Sequence, residues 1–140
     1  MPNITRRFIG HLQTNKVNKC LELFDTIDSV DSFKLAKKIN NRSTFLNKKT
    51  PILLEINTSG DDSKKGFSPN LDDVFYSIFE LDSLKVDGLM TMGPLSRNED
   101  ETRSAFALLR KIKTKINDQL SGEPVKELSM GMSGDFQIGI

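Results

Sequence analysis

Apolar residues recur along this chain with the spacing of amphipathic helices. Stripes at i, i+3, i+4 and i+7 predict four helices. Their apolar positions are Val17, Cys20, Leu21 and Phe24, then Phe33, Ala36 and Ile39, then Leu71, Val74, Phe75, Ile78 and Phe79, and finally Ala105, Leu108, Leu109, Ile112 and Ile116. Asp31-Ser32 and Asn70 are the expected N-caps of the second and third helices. In the fourth, acidic residues at 99–101 precede basic residues at 110–115, an order that complements the helix dipole.

Short apolar runs of strand length lie between these helices. They cover residues 8–9, 26–27, 52–56, 86–92 and 128–132. The run at 51–57 is nearly continuous, as in a strand that is covered on both faces. About five alternations of strand and helix predict an α/β chain with parallel strands and right-handed crossovers. The polar stretches 40–50 and 60–69 are expected to be surface loops.

Composition narrows the class of protein. The chain has 140 residues, 36% hydrophobic and 28% charged, which suits one globular domain or a piece of a larger one. No apolar run approaches the ~20 residues of a membrane helix, and the N-terminus does not resemble a signal peptide. One cysteine and one histidine exclude an intramolecular disulfide and the usual zinc sites. We therefore expect a cytoplasmic, metal-free protein.

Charge balance limits the expected partners. Lys and Arg total 20, Asp and Glu total 19, and the net charge is +1. This balance gives no overall attraction to nucleic acid or to acidic lipid, so we expect neither nucleic acid nor membrane as a partner. Only a local basic patch, argued residue by residue, would change that expectation.

Small, hydroxyl-bearing and amide residues follow four of the predicted strands. These segments are 10–16, 57–60, 90–94 and 129–135. In parallel α/β folds, ligands gather at the carboxyl ends of the strands. Ser133 also falls where a following helix would start, and free N–H groups there favour phosphate. Each segment alone is typical of a turn with a helix cap; together they indicate an α/β domain with a candidate anion site.

Four motifs occur in a recognisable order. They are Phe-Ile-Gly-His-Leu-Gln-Thr-Asn-Lys at 8–16, Ile-Asn-Thr-Ser-Gly-Asp-Asp-Ser-Lys-Lys-Gly at 56–66, Gly-Leu-Met-Thr-Met-Gly at 88–93 and Glu-Leu-Ser-Met-Gly-Met-Ser-Gly-Asp-Phe at 127–136. With Asp-Ser-Val-Asp at 28–31, they resemble the pyridoxal phosphate homeostasis proteins (YggS/PROSC type) over essentially the whole chain. The resemblance implies a partial (β/α)8 TIM-type barrel of the alanine racemase N-terminal-domain kind. Residues 1–140 are then one incomplete domain that lacks the first strands and the last strand.

The resemblance also implies a cofactor and its neighbours. Proteins of this family bind pyridoxal 5′-phosphate (PLP) through a lysine Schiff base, are associated with vitamin B6 homeostasis, and have no well-established catalytic activity. By position in the motifs, Ser133 is expected to bind the phosphate and Met92 to pack beside the pyridine ring. Lys64 is expected near the cofactor, and Met130 and His11 are weaker candidates for lining the pocket.

The departures from the family pattern affect the covalent link. The family's cofactor lysine lies on a strand upstream of the first motif, and a Val-Arg-Ile-Gly segment follows the last; this sequence contains neither, and we expect a truncated chain. Lys85 and Lys126 precede their strands and are expected at the opposite mouth of the barrel. Lys64 and Lys65 are expected on a solvated loop. Covalent attachment is therefore expected to be weakened or lost.

Alternative functions remain open at this point. The chain is interpreted as a PLP-binding homeostasis protein, with a PLP-dependent racemase-like enzyme and a non-functional fragment as the alternatives. An enzyme would need a Schiff-base lysine and acid/base groups on both sides of the cofactor. The family implies a monomer. An open sheet with two free edges and an apolar inner face would instead be unstable or would associate.

Overall fold

Five strands form one parallel sheet in a computed structural model that describes residues 5–58, 66–91, 99–120 and 125–130. The strands are β1 (Arg7–Phe8), β2 (Thr26–Val30), β3 (Thr50–Glu55), β4 (Leu84–Thr91) and β5 (Glu127–Met130). Each pairs in parallel with the next, so the order in the sheet is the order in the sequence. This is a curled half-barrel, and the predicted fold class is confirmed.

Within the described residues, four α-helices connect these strands. They are α1 (Val17–Leu23), α2 (Phe33–Phe45), α3 (Asp73–Ser77) and α4 (Glu99–Leu120), with short 3-10 helices at Thr14–Lys16 and Ile78–Glu80. Their apolar stripes pack on one side of the sheet. The fully buried aliphatic side chains of this core include Val17, Ile27, Leu35, Ile39, Ile52, Leu54, Leu89, Leu109 and Ile116.

The helix starts agree with the sequence in two cases and differ in one. Ser32 caps α2 as predicted, since its side chain accepts a hydrogen bond from the Leu35 amide. The acidic first turn of α4 is also confirmed. The expected Asn70 cap of α3 is wrong, because the Asp72 carboxylate accepts from the Phe75 amide at 2.8 Å and the helix begins only at Asp73.

Two further expectations need correction. The basic residues at 110–115 lie in the middle of α4, whose last turn contains no basic residue, so they do not complement the dipole at its carboxyl end. The stretch 40–50 is not a loop, since α2 continues to Phe45 and β3 begins at Thr50. The apolar stripe stops at Ile39 because Ser43 takes the next buried position, where its hydroxyl bonds to that of Thr50 at 2.6 Å.

Candidate functional site

Strand register separates the two faces of the sheet. Leu54 of β3 and Leu89 of β4 are neighbours in register, and both belong to the core under the helices. Glu55 and Met90 follow them and are also neighbours in register. Because successive side chains of a strand point to opposite faces, Glu55 and Met90 lie on the inner face, away from the helices.

An ion-pair cluster joins the two outer strands across this inner face. Arg7 of β1 donates from Nε to Asp28 Oδ2 at 2.8 Å and from Nη2 to Glu127 Oε2 of β5 at 3.0 Å. The Asp28 carboxylate is buried and also accepts from the Thr26 hydroxyl at 3.3 Å. The hydrogen bond that Arg7 donates to Asp28, with a smaller contribution from the one to Glu127, raises the pKa of Arg7, so the guanidinium stays charged. The cluster lies near the amino ends of β1 and β5.

The inner face is therefore not the exposed apolar surface that the sequence predicted. Its described strand residues include one cation and three carboxylates, Arg7, Asp28, Glu55 and Glu127. Its apolar members Leu53 and Met90 are fully buried. At the amino end of this face, ion pairs stand where the sequence predicted aliphatic packing.

A pair of threonines holds the carboxyl ends of β3 and β4 together. The Thr91 hydroxyl donates to the Ile56 carbonyl at 2.9 Å and lies 2.9 Å from the Thr58 hydroxyl. The Ile56 amide donates to the Met90 carbonyl at 2.8 Å and extends the pairing past the end of β3. Two hydroxyl groups are thus fixed at the edge where parallel α/β folds place their ligands.

The chain returns to this edge at Gly66 and Phe67. Gly66 has φ +115°, and a Cβ there would lie only 2.8 Å from the Asn57 nitrogen. Phe67 donates from its amide to the Glu55 carbonyl and accepts from the Asn57 amide, both at 2.8 Å. Glycine is required because an L side chain would be strained and would collide with β3. Residues 66–67 are thereby anchored to the carboxyl end of β3.

His11 lies just beyond the carboxyl end of β1. Its Nδ1 is 3.6 Å from Asp31 Oδ2, and its side chain is about half exposed. The Ser29 hydroxyl of β2 donates to the Gly10 carbonyl at 2.5 Å, which ties the two strand ends together. His11 also lines a cavity of about 270 Å³ between β1 and α1, with Cys20 at its base. Burial raises the pKa of the Cys20 thiol, which keeps it protonated near neutral pH.

Two of the five candidate cofactor residues lie in the described part of the chain, and three lie outside it. His11 follows β1, and Met130 is the last residue of β5 and the register neighbour of Thr91, so both belong to the carboxyl edge. Nothing is described of the Met130 side chain. Lys64, Met92 and Ser133 lie outside the described residues.

The lysines of the described strands are at the other end of the sheet. Lys85 is the second residue of β4, and its mostly exposed ammonium lies 3.7 Å from Asp87. Lys126 directly precedes β5. Lys126 precedes its strand as predicted, whereas Lys85 lies inside β4 because that strand begins earlier than expected, at Leu84. Lys85 is the only lysine in the five described strands, so these strands offer no amine to an aldehyde at the carboxyl edge.

One residue of this edge, Glu55, escaped the reading of the sequence, although it is the single charge in the apolar run 51–57. Thr58 and Thr91 lie in the segments 57–60 and 90–94 that the sequence singled out. Their contact with each other was not predicted, because it depends on strand register. Met90 and Thr91 are fully buried and, as successive residues of β4, lie on opposite faces of the sheet, so they hold the strand ends in place.

The chain belongs to a known barrel family. Residues 4–139 match the family model described as "Alanine racemase, N-terminal domain", which is nearly the whole sequence. The parallel order of the strands agrees with this class of protein.

The most informative relatives point to one branch of that family. The chain is 37% identical over 134 residues to the pyridoxal phosphate homeostasis protein of Aquifex aeolicus, covering 95% of this chain and 58% of that protein. It is 38% identical to the protein of the same name from Synechocystis sp., covering 96% and 62%. The resemblance found in the sequence motifs is confirmed. The chain spans about three fifths of the length of these relatives.

A solved structure adds the cofactor to the comparison. PipY of Synechococcus elongatus, with PLP bound, superimposes with a TM-score of 0.85 at 31% identity, covering 99% of this chain and 64% of PipY. An alanine racemase of Clostridium difficile, at 18% identity and a TM-score of 0.72, shares the fold.

Two features are absent from residues 5–58, 66–91, 99–120 and 125–130. No helix within these ranges combines the length and apolarity that crossing a bilayer requires. Within the same residues, no three or more His, Cys, Asp or Glu side chains are grouped as metal ligands would be.

Proposed function

We propose that this chain forms part of a PLP-binding protein that acts in PLP homeostasis. The observation that carries the proposal is the carboxyl edge of the sheet. Strand ends that follow one another in sequence bring His11, Thr58, Thr91 and the end of β5 to a single rim. PipY, which is similar over almost the whole of this chain, has a structure with PLP bound, and this supports the choice of ligand.

The five candidate residues receive roles within this proposal. The Ser133 hydroxyl donates to the phosphate, the Met92 thioether packs beside the pyridine ring, and Met130 lines the pocket. Lys64 supplies positive charge at the rim, and His11 borders the pocket next to Asp31. The cofactor, when bound, contributes an aldehyde and a phosphate anchor. This chain contributes a binding surface in which PLP is held without a covalent bond.

We further propose that the protein handles the cofactor without catalysing turnover. The relatives are named as homeostasis proteins. A racemase-like enzyme needs a lysine amine next to the aldehyde and proton-transfer groups on both faces of the cofactor. The only strand lysine described, Lys85, lies at the opposite end of the sheet, which favours binding over catalysis.

An absorbance titration with PLP, followed by dialysis, tests binding and its chemistry together. We expect PLP to bind, to be competed away by inorganic phosphate, and to leave no adduct in the mass spectrum after borohydride reduction. Ser133→Ala should weaken binding at least about tenfold, since a hydrogen bond to a charged group is worth roughly 1.5–3 kcal/mol. The matched control is Ser104→Ala on the exposed surface of α4, which should leave affinity unchanged.

The outcomes separate the parts of the proposal. Absence of any phosphate-competable binding would exclude the cofactor role. A lysine adduct that survives reduction would contradict the non-covalent form and would identify the amine by peptide mapping. Racemisation of free alanine by the PLP-loaded chain would replace the homeostasis role with an enzymatic one.

A further inference from the structure

The cavity of about 270 Å³ between β1 and α1 lies on the helix side of the sheet. Phe8 is in register with Ile27 of β2, whose side chain belongs to the core under the helices, so the Phe8 ring points to the same side. Leu12 and Cys20, both buried, form the base of the cavity. The cavity therefore lies behind β1, whereas the candidate cofactor contacts lie beyond the strand ends, and His11 borders both.

A small side chain in α1 leaves this space open. The buried positions of α1 are Val17, Cys20 and Leu21, and Cys20 has the smallest side chain of the three. The Phe8 ring is supported on one side by Phe24, edge to face, with the ring centres 5.2 Å apart. The space beside the Phe8 ring is thus bounded by an aromatic ring and a thiol. Both are favourable contacts for a second aromatic ring.

The mouth of the cavity carries positive charge. Lys16 and Lys19 line it and are exposed, and because they are three residues apart at the start of α1 they are neighbours on its surface. The described residues that line the cavity include no carboxylate. Glu22 follows Lys19 by three residues on α1 without lining the cavity, and Asp31 lies 3.6 Å from His11. The mouth therefore attracts an anion.

We propose that this cavity binds a small aromatic molecule that carries one carboxylate. An apolar cavity of ~150 Å³ holds benzene, so about 270 Å³ is enough for a ring with one short substituent. The ring packs beside Phe8 and over the Cys20 thiol, and the carboxylate lies between the two lysine ammonium groups. The described lining residues all belong to residues 8–20, and so compact a site fits a small molecule better than a long peptide segment.

An NMR titration of the isotope-labelled 140-residue chain with hydrocinnamate tests this proposal. The amide signals of residues 8–20 should shift saturably with millimolar affinity, whereas those of residues 105–116 in α4 should not. Hydrocinnamamide has the same ring and size without the charge, and it should bind roughly three- to tenfold more weakly because two exposed ion pairs are lost. Octanoate keeps the carboxylate without the ring and should also bind more weakly.

Paired variants separate the charge of the mouth from the space at the base. Lys16→Gln with Lys19→Gln should weaken hydrocinnamate binding roughly three- to tenfold and leave hydrocinnamamide unaffected. Lys111→Gln with Lys115→Gln, which neutralises two exposed lysines of α4, should change neither ligand. Cys20→Leu fills the base and should weaken both ligands at least about tenfold, whereas Cys20→Ala keeps the space and should not.

The lysine variants decide the proposal even where the variants of the buried Cys20 lower stability. All four lysine positions are exposed, so unchanged thermal unfolding should accompany their results. An equal response to the α1 and α4 lysine pairs would contradict the assigned mouth. Equal binding of hydrocinnamate and hydrocinnamamide, or tighter binding of octanoate, would contradict the assigned class of ligand.

Competition with PLP separates this cavity from the candidate cofactor site. PLP at a concentration that saturates the candidate cofactor edge should leave hydrocinnamate binding unchanged. Displacement of hydrocinnamate by that concentration of PLP would make the cavity part of the cofactor site and would overturn the proposal of a separate one. Because hydrocinnamate binding is first measured without PLP, either proposal can fail without the other.

Discussion

The two faces of the sheet are stabilised by different interactions. The helix side consists of aliphatic side chains such as Ile27, Leu54 and Leu89, which are excluded from water and packed against the helices. The inner side depends at its amino end on one cluster, in which Arg7 bridges Asp28 and Glu127. Burial is distributed over many residues, whereas the ionic cluster concentrates the link between β1 and β5 in one guanidinium. The free energy of unfolding should therefore depend mostly on the helix side of the sheet. The contact between β1 and β5 should depend mostly on the inner side.

A cavity on the helix side should have the largest effect. Leu54→Ala removes a fully buried side chain at the centre of the sheet, and its neighbours are held by backbone pairing on both sides. We expect a loss of about 2–5 kcal/mol in the free energy of unfolding. Urea denaturation followed by far-UV circular dichroism measures it. Leu46→Ala, at an exposed position, is the matched control, and an equal loss there would contradict the account.

Removing the bridging cation should have the next largest effect. Arg7→Met keeps much of the side-chain volume but leaves the buried Asp28 carboxylate with the Thr26 hydroxyl as its remaining described side-chain partner. We expect a loss of about 1–3 kcal/mol at neutral pH, the usual cost of leaving a buried polar group poorly paired. Combining Arg7→Met with Asp28→Asn should restore part of it. Full additivity of the two losses would show that the pair is not coupled.

The outer partner of the same cluster should matter less. Glu127 is about half exposed in its side chain, so its contact with Arg7 is screened by water. Glu127→Gln should cost less than about 1 kcal/mol, as exposed ion pairs do. Amide hydrogen exchange of β5 should nonetheless become faster than that of β3. A loss as large as that of Arg7→Met would mean that the link between the outer strands dominates the cluster.

The buried Cys20 thiol should have the smallest effect on the free energy of unfolding. Burial raises the pKa of Cys20 above its ordinary value of 9.0, so the native state keeps a proton that the unfolded chain releases. The free energy of unfolding should therefore fall as pH rises above about 9, until the native thiol also ionises. Stability measured from pH 7 to 10.5 should decline more steeply in the wild type than in Cys20→Ala. An equal decline in the wild type and in Cys20→Ala would show that the Cys20 thiol does not cause the pH dependence.

The fold was largely predictable from the sequence because its signals are local. The strand–helix alternation and the Ser32 cap follow from periodicity and from one side chain next to its helix. Predictions were wrong where a polar residue entered a buried face. Ser43 interrupts the stripe of α2, and only its hydrogen bond to Thr50 explains why the helix continues.

The site was less predictable because its contacts are distant in the chain. Arg7 and Glu127 are 120 residues apart, and Thr58 and Thr91 are 33 apart. No window of sequence contains either pair, and both depend on register and on the curl of the sheet. The roles of Ser133, Met92 and Lys64 came from motif order alone and remain predictions.

The brevity of β1 bears on where the sheet opens first. Among the described residues, two residues of β1 are in register with β2, whereas four residues of β5 are in register with β4. Local opening begins where the fewest backbone pairs must break, so the amides of β1 should exchange with solvent sooner than those of β5. The Arg7 guanidinium would leave Asp28 and Glu127 in the same event.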